Sequence, residues 1–360
     1  MSTAADPLDD PELLETEWDL APLLDGAGDD RAGAERMLDE ARERAATFAQ
    51  EHAGNVAELD PAGLRDAMRE LEAIHELIGR VGSYASLRFS VDTADPANGA
   101  LLQLVQERAT EVETLLLFFE LEWAALSDDQ ADSLLADPGL DFCRHHLRSV
   151  RRYRPHLLSE SEEKVLAEKS ISSQAAWARL FGEVVAALRV NLDQQELNLD
   201  VALSRLQLPD REVRRAAAAA VSRALEPGLR TRGFIYNTLL YDKSVEDRLR
   251  NYPHWLASRN LSNEASDESV MVLIDAVRGR FDLPQRWYKL KAKLLGLDRL
   301  ADYDRSAPVL HEGVTYTYAE ARELVLDTYE SFSPIAGEVT RRFFEERWID
   351  APPRPHKRGG

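Results

Sequence analysis

The sequence predicts an all-α, multi-helical fold with one or two minor β-hairpins. Three observations predict it. Apolar residues recur at i, i+3 and i+4 over long stretches, several of these stretches open with helix-capping residues, and period-two alternation is confined to one short segment. The first periodic stretch, 34–52, alternates small apolar residues with Glu and Arg. Asp60-Pro61 then reads as an N-cap followed by proline at the first helical position, where its missing N–H costs nothing. The helix behind it sets Leu64, Met68, Leu71, Ile74 and Ile78 on one stripe. Residues 99–126 are more apolar, with Leu101, Leu104, Val105, Val112, Leu115, Leu116 and Phe119 in register, as expected of a helix between other helices.

Capping-box spacing marks three further starts: Ser127 with Gln130, Ser159 with Glu162, and Thr317 with Glu320. Asp210 is an N-cap candidate for an Ala-rich helix over 211–225, and Glu226-Pro227-Gly228 ends that helix. The exception to helical period is 186–201. There Ala187–Leu192 alternates, Asp193-Gln194-Gln195 turns, and Glu196–Leu199 alternates again, which predicts a hairpin. A second small extended region is expected at 308–316. A last helix over about 335–347 carries Phe343, Phe344 and Trp348, which need something to pack on. The Pro-rich run from Ala351 to Gly360 predicts an extended path leading onward.

Composition narrows the function classes. The chain has 360 residues, enough for two or three domains, and its 44% hydrophobic and 30% charged content is that of a globular protein. A formal net charge of −20 repels phosphate backbones and anionic lipid heads, so neither nucleic acid nor a membrane surface is an expected partner. Residues 1–30 hold ten Asp or Glu and no Lys or Arg, which predicts a solvated, poorly ordered leader. The single cysteine, Cys143, forms no internal disulfide and gives no argument for an oxidising compartment. No basic n-region with an apolar stretch follows Met1, and the longest apolar runs, Leu115–Phe119 and Ala216–Val221, are too short for a bilayer. The expected location is the cytoplasm.

No complete catalytic or metal site is expected within these residues. A zinc hydrolase needs paired histidines at helical spacing with a glutamate beside the metal-bound water. His75-Glu76-Leu77-Ile78-Gly79 comes nearest, but Gly79 stands where the second histidine belongs, so His75 reads as a surface or interface residue. His145 and His146 are adjacent and point to different helix faces. Both they and His311-Glu312 read as solvated residues. Arg144 and His145 beside Cys143 would lower its pKa, yet with no second reactive element Cys143 reads as a buried small residue. Glu162-Glu163 identifies nothing in so acidic a chain. The basic tail of Arg354, Lys357 and Arg358 suits a carboxylate contact only weakly. Phosphate-cradling glycine loops and nucleophile elbows are absent from the sequence.

One ordered set of segments carries more. It comprises Asn237-Thr238-Leu239-Leu240-Tyr241-Asp242-Lys243, Arg250-Asn251-Tyr252-Pro253-His254-Trp255, Arg259–Glu264, Trp287-Tyr288-Lys289-Leu290-Lys291, Leu295-Gly296-Leu297-Asp298, Phe343-Phe344 and Trp348–Gly360. Upstream, Trp18-Asp19-Leu20, Tyr84, Asp92-Thr93, Leu158-Ser159 with Glu162-Glu163, and Trp177–Phe181 fall in the same order. Together they resemble the oligoendopeptidase F branch of the thimet-type zinc metallopeptidases. The resemblance implies a mostly helical protein whose N-terminal helices pack on a catalytic domain around a deep channel that admits short peptides as substrates. It also implies zinc held by the two histidines of an HExxH helix and a later glutamate, with the motif's own glutamate activating water.

In that family the HExxH helix lies downstream of the segment matching Trp348–Gly360. No catalytic, metal or cofactor residue is therefore carried onto this chain, which is expected to be the inactive N-terminal part of such an enzyme. The alternative is a non-catalytic peptide-binding module on the same scaffold. The expected layout is an N-terminal helical region with its leader at 1–110, a second helical region at 111–185, a hairpin connector at 186–204 and the start of a catalytic domain at 205–360. Apolar faces including Phe343, Phe344 and Trp348 are then expected to be incompletely covered. His356 stands where the family has glycine, a departure expected to disturb a tight backbone path.

Overall fold

A computed structural model describes residues 10–26, 30–309 and 316–358. The first layer is a trio of long helices, α2 (Asp30–His52), α3 (Pro61–Val91) and α4 (Pro96–Ala125), each packed on the other two. A short helix, α1 (Pro11–Glu15), and a 3₁₀ turn (Ala21–Leu24) precede them. Asp60 caps α3 by accepting from Gly63 N at 2.7 Å, and Asp95 caps α4 by accepting from Ala97 N at 2.8 Å, each followed by proline. The anticipated stripe Leu64, Met68, Leu71, Ile74, Ile78 is buried throughout. On α4, Leu101, Val105, Val112, Leu116 and Phe119 are buried, while Leu104 and Leu115 are half-covered. Alanines 34, 41 and 45 of α2 are fully buried, so its backbone lies close to its neighbours, and Phe48 fills the centre. Position 110 lies inside α4, and one continuous hydrophobic core runs from Leu24 to Leu147.

The end of α4 is closed by its successors, α5 (Asp128–Leu135) and α6 (Arg144–Arg152). The Trp123 indole donates to Leu147 O at 2.8 Å. Arg151 donates to Trp123 O and Leu126 O, both at 2.9 Å, and Arg154 donates to Ala124 O at 2.6 Å. These cations satisfy the last carbonyls of α4, which have no partner within the helix. Then come α7 (Glu160–Ser170), a π turn (Ile171–Ala175) with Ser173 off helical geometry, and α8 (Ala176–Ala186). The boxes at Ser127, Ser159 and Thr317 form as the spacing predicts.

The hairpin is β1 (Arg189–Leu192) against β2 (Gln195–Asn198), antiparallel, with Leu192 opposite Gln195. Its turn is the two residues Asp193 and Gln194, both at positive φ (52° and 66°), rather than the three residues expected from sequence. A two-residue turn of this hand matches strand twist, which draws Gln195 into β2 and leaves Leu199 to open α9 (Leu199–Ser204). Val190 and Leu192 bury against Ala217, Ala220 and Val221 of α10 (Arg211–Leu225), a second, smaller core.

Beyond it lie α11 (Leu229–Leu249), α12 (Ala257–Ser262), α13 (Asp267–Arg278), α14 (Asp282–Leu294), α15 (Tyr318–Phe332) and α16 (Pro334–Glu345). Asp304, fully covered, joins this part to α10 by accepting from Arg214 Nη2 and Arg211 Nη2, each at 2.9 Å. The buried Lys291 of α14 donates to Arg305 O at 2.7 Å beside it. No helix among the described residues is long and apolar enough to cross a membrane.

One expectation is corrected at the chain's start: residues 10–26 of the acidic leader are folded. The Pro-rich segment forms a strap, 347–358, that packs on the first region. Asp19 N donates to Arg347 O at 2.8 Å and Ala351 N to Thr16 O at 2.9 Å, while Arg354 pairs with Glu17. Further along, Thr93 N donates to His356 O at 3.0 Å, Arg358 N to Ser90 O at 2.8 Å, and Asn198 Nδ2 to Arg354 O at 2.7 Å. Glu17 is thus the leader carboxylate that meets a strap cation, and most of the other ties are backbone hydrogen bonds. His356 sits at φ 64°, the left-handed region that favours glycine, so its departure from the family pattern falls on a backbone that asks for one. Of the extended region expected at 308–316, positions 310–315, including His311 and Glu312, lie outside the described residues.

Candidate functional site

A cavity of about 950 Å³ forms a cleft between two helical walls. One wall is the end of α4 (Leu117, Glu120, Leu121), the cleft-facing side of α6 (His146, Ser149, Val150) and the π turn (Gln174). The other is α11 (Tyr236, Leu239, Leu240, Asp242, Lys243) and α12 (Ser258, Arg259). The π turn adds a residue to one helical turn, which is how Gln174 comes to face the cavity, and such turns recur at functional sites. The lining is mixed: leucines 117, 121, 239 and 240 give it apolar stretches, and charged side chains such as Glu120, Glu163, Lys243, Arg250 and Arg259 converge on it.

The floor is an ion pair between the two walls. The Arg250 guanidinium donates to both Glu163 oxygens at 2.6 and 2.8 Å, and Leu158 N donates to the same carboxylate at 3.0 Å. Burial by itself raises the Glu163 pKa. The Arg250 and Leu158 hydrogen bonds outweigh it and hold the carboxyl below its usual range. Beside this pair the His156 Nδ1 lies 2.8 Å from Arg250 O, and its ring stacks on Tyr252 at 4.0 Å. Asn251, at φ 56°, turns the chain between Arg250 and Tyr252 so that both reach the floor.

The rim is fastened by Glu264, just past α12. It accepts from Ser149 Oγ at 2.8 Å and lies 2.8 Å from His145 Nε2, and Ser149 first and His145 second lower its pKa. Lys243 pairs with Asp247 along α11 and reaches Ser258 Oγ at 3.3 Å, fixing α12 against α11. Asp267 accepts from Asn260 Nδ2 at 2.7 Å and lies 2.8 Å from His254 Nε2, which holds α13 to α12.

The sequence candidates separate accordingly. His75 stands 2.8 Å from Leu71 O and 3.5 Å from Glu113. His145 and His146 diverge as their adjacency dictates, one to the rim and one into the cleft. Cys143 is buried with its thiol toward Leu140 O at 3.5 Å, and burial raises its pKa, overriding the neighbouring cations expected to lower it. Arg354 and Lys357 do find carboxylates, Glu17 and Asp350, within the strap. Sequence reasoning missed the Glu163–Arg250 pair. Its only signal was that Leu158–Glu163 and Arg250–Tyr252 both belonged to the ordered set. Among the described residues no three His, Cys, Asp or Glu side chains are placed to hold a metal ion, so they do not fit a zinc site.

Parts of the chain are similar to known proteins. A family model described as oligopeptidase F matches residues 122–189, which span the end of α4 through β1. The group B oligopeptidase PepB of Streptococcus agalactiae is 28% identical over 306 residues, covering 82% of this chain and 49% of its own length. Oligopeptidase PepF of Bacillus subtilis is 23% identical over 305 residues, covering 82% and 46%. The chain thus spans about half the length of the curated relatives it matches. In fold, it is similar to oligoendopeptidase-F from Enterococcus faecium (TM-score 0.69, 21% identity, 90% of this chain and 69% of that one). It is similar also to PZ peptidase A (TM-score 0.70, 16% identity, 90% and 55%).

Proposed function

We propose that this chain belongs with the oligoendopeptidase F proteins it resembles, that it forms the peptide-cradling half of a zinc-dependent endopeptidase for short peptides, and that it is inactive by itself. The observation that carries this reading is the cleft, because the segments 237–243, 250–255 and 259–264 that bear the family resemblance contribute Leu239, Leu240, Lys243, Arg250, Tyr252 and Arg259 to its lining. In this reading Leu117, Leu121, Leu239 and Leu240 take up apolar side chains of the peptide, and the Glu163–Arg250 pair fixes the separation of the walls. Bound zinc would supply Lewis-acid activation of water, and its ligands belong to polypeptide other than the described residues. The catalytic part starts near residue 205, after the hairpin. Its companion portion covers the apolar faces of α13 to α16, where Met271, Leu273, Phe332, Ile335 and Phe343 stand exposed.

The purified 360-residue chain tests this directly. We expect short peptides to bind with affinity on the order of micromolar, a hydrophobic dye to bind, zinc to remain far below one equivalent by elemental analysis, and mass spectrometry to find no cleavage. One equivalent of zinc together with peptide cleavage overturns the reading. A second reading, a self-sufficient non-catalytic peptide-binding module, is favoured by the strap 347–358 packing back on the first helices. A cooperative two-state melt without dye binding would select it.

A further inference from the structure

A second cavity, about 430 Å³, opens on the other side of Glu120 from the cleft. Leu117, Glu120 and His146 line both, so the two spaces share a wall. The second cavity is walled by Met68, Leu71, Leu116, Phe119 and Phe142, with acids at its edge. Those acids can be paired off in turn. Glu72 is held by Arg69 at 2.6 Å, and that guanidinium in turn stacks 3.5 Å from the Phe142 ring centre. Glu113 faces His75 at 3.5 Å, a contact that raises the His75 pKa through hydrogen bonding to Glu113. Glu120 has no hydrogen-bond or ion-pair partner among the described residues. It is accessible along the cavity wall yet surrounded by enough protein for desolvation to raise its pKa, with Glu113 and Glu163 adding to the rise and His146 opposing it. A carboxylate so placed gains from an incoming cation.

The geometry suits one kind of occupant. Glu113 and Glu120 are seven residues apart on α4, two turns or roughly 10 Å along one face, so a cation between them lies about 5 Å from each. The apolar wall beneath matches a flexible methylene stem. Resting on the cleft reading above, we propose that this annex is a specificity pocket for the arginine or lysine side chain of a peptide lying in the cleft, with Glu120 as its principal anionic partner. Arginine suits it better than lysine, because its planar fork can bridge carboxylate and ring acceptors while its stem packs on Leu116 and Phe119.

The test compares two fluorescein-labelled short peptides that differ only in one central residue, arginine or norleucine, titrated against the full 360-residue chain and its Glu120→Gln variant, with circular dichroism confirming that the variant folds. The expected result is about tenfold tighter binding of the arginine peptide, the worth of one charge-assisted contact, falling to the norleucine level in Glu120→Gln. Equal affinity of the two peptides for the unmodified chain overturns the annex while leaving the cleft reading intact. If neither peptide binds, the cleft reading fails and n-hexylguanidinium, titrated alone by calorimetry, decides the annex separately. Binding that is lost in Glu120→Gln upholds it as a cation pocket, and no binding overturns it.

Discussion

The helices from α2 to α6 and those from α11 to α16 use the same sequence devices to begin and end, and differ in what they do with their apolar faces. In the first set Trp123, Phe48, Leu38, Leu64 and Ile74 are essentially inaccessible within one core. Among the described residues beyond 228 the buried apolar side chains are Ile235, Ala257, Ala292, Ala307 and Pro352, while Phe332 is 86% exposed, Ile335 75% and Trp255 72%. Ser266, Thr317 and Ser333 cap their helices as well as Asp60 and Asp95 do. Capping therefore specifies where helices start without ensuring that they bury anything. The first region is held by hydrophobic burial, and the second by polar ties such as Asp304 and by the strap.

The comparison can be broken most easily at the cores. Trp123→Ala should cost about 3–5 kcal/mol in chemical denaturation, since it removes a fully enclosed ring and the Leu147 hydrogen bond. Phe332→Ser should change stability by less than about 0.5 kcal/mol and reduce dye binding. Similar losses at the two positions would show that the two regions are not held differently.

Acid sharpens the contrast next. Burial by itself raises the Asp304 pKa, but hydrogen bonds from Arg211, Ala301 N and Arg214 override it and bring it to about 2. Its unfolded value is higher, near the ordinary 3.8. The tie therefore stabilises fully above roughly pH 4 and is lost as pH falls through 2, a contribution on the order of 2 kcal/mol. An acid titration of stability should lose this increment in Asp304→Asn, whose Arg214 is left buried without its carboxylate. An unchanged acid profile in that variant would remove Asp304 from the account of the second region.

A smaller effect than these two losses lies at the junction of the two regions. His356→Gly should raise stability by about 0.5–1 kcal/mol, because glycine occupies φ 64° without steric cost. A loss of stability would mean that the imidazole contributes more to the strap than its backbone strain takes away.

Much of the fold was legible because it is local. Helix starts at Asp60, Ser127, Ser159, Asp210 and Thr317 are written in four or five consecutive residues, and the stripes on α3 and α4 within thirty or so. The hairpin was legible too, apart from one residue of turn. What was not legible depends on partners far away in the chain. Glu17 looks like part of a solvated acidic run until Arg354 is seen beside it, and Glu163 looks like one acid among many until Arg250 reaches it. Cys143 misled for the same reason, since adjacent cations were visible and the enclosing core was not. The annex likewise exists only once α3, α4 and α6 are assembled, bringing His75, Glu120 and Phe142 to one space.

The strap also has a consequence for the order of assembly. A ribosome releases residues 24–147 long before Arg347 or Ala351 exists, so the first core can close while Thr16 and Asp19 still lack their backbone partners. Bringing 347–358 back to them closes a loop over nearly the whole chain, the most entropically demanding contact in the molecule and the one its topology leaves for last. The finished first region then serves as the surface on which the end of the described chain is registered.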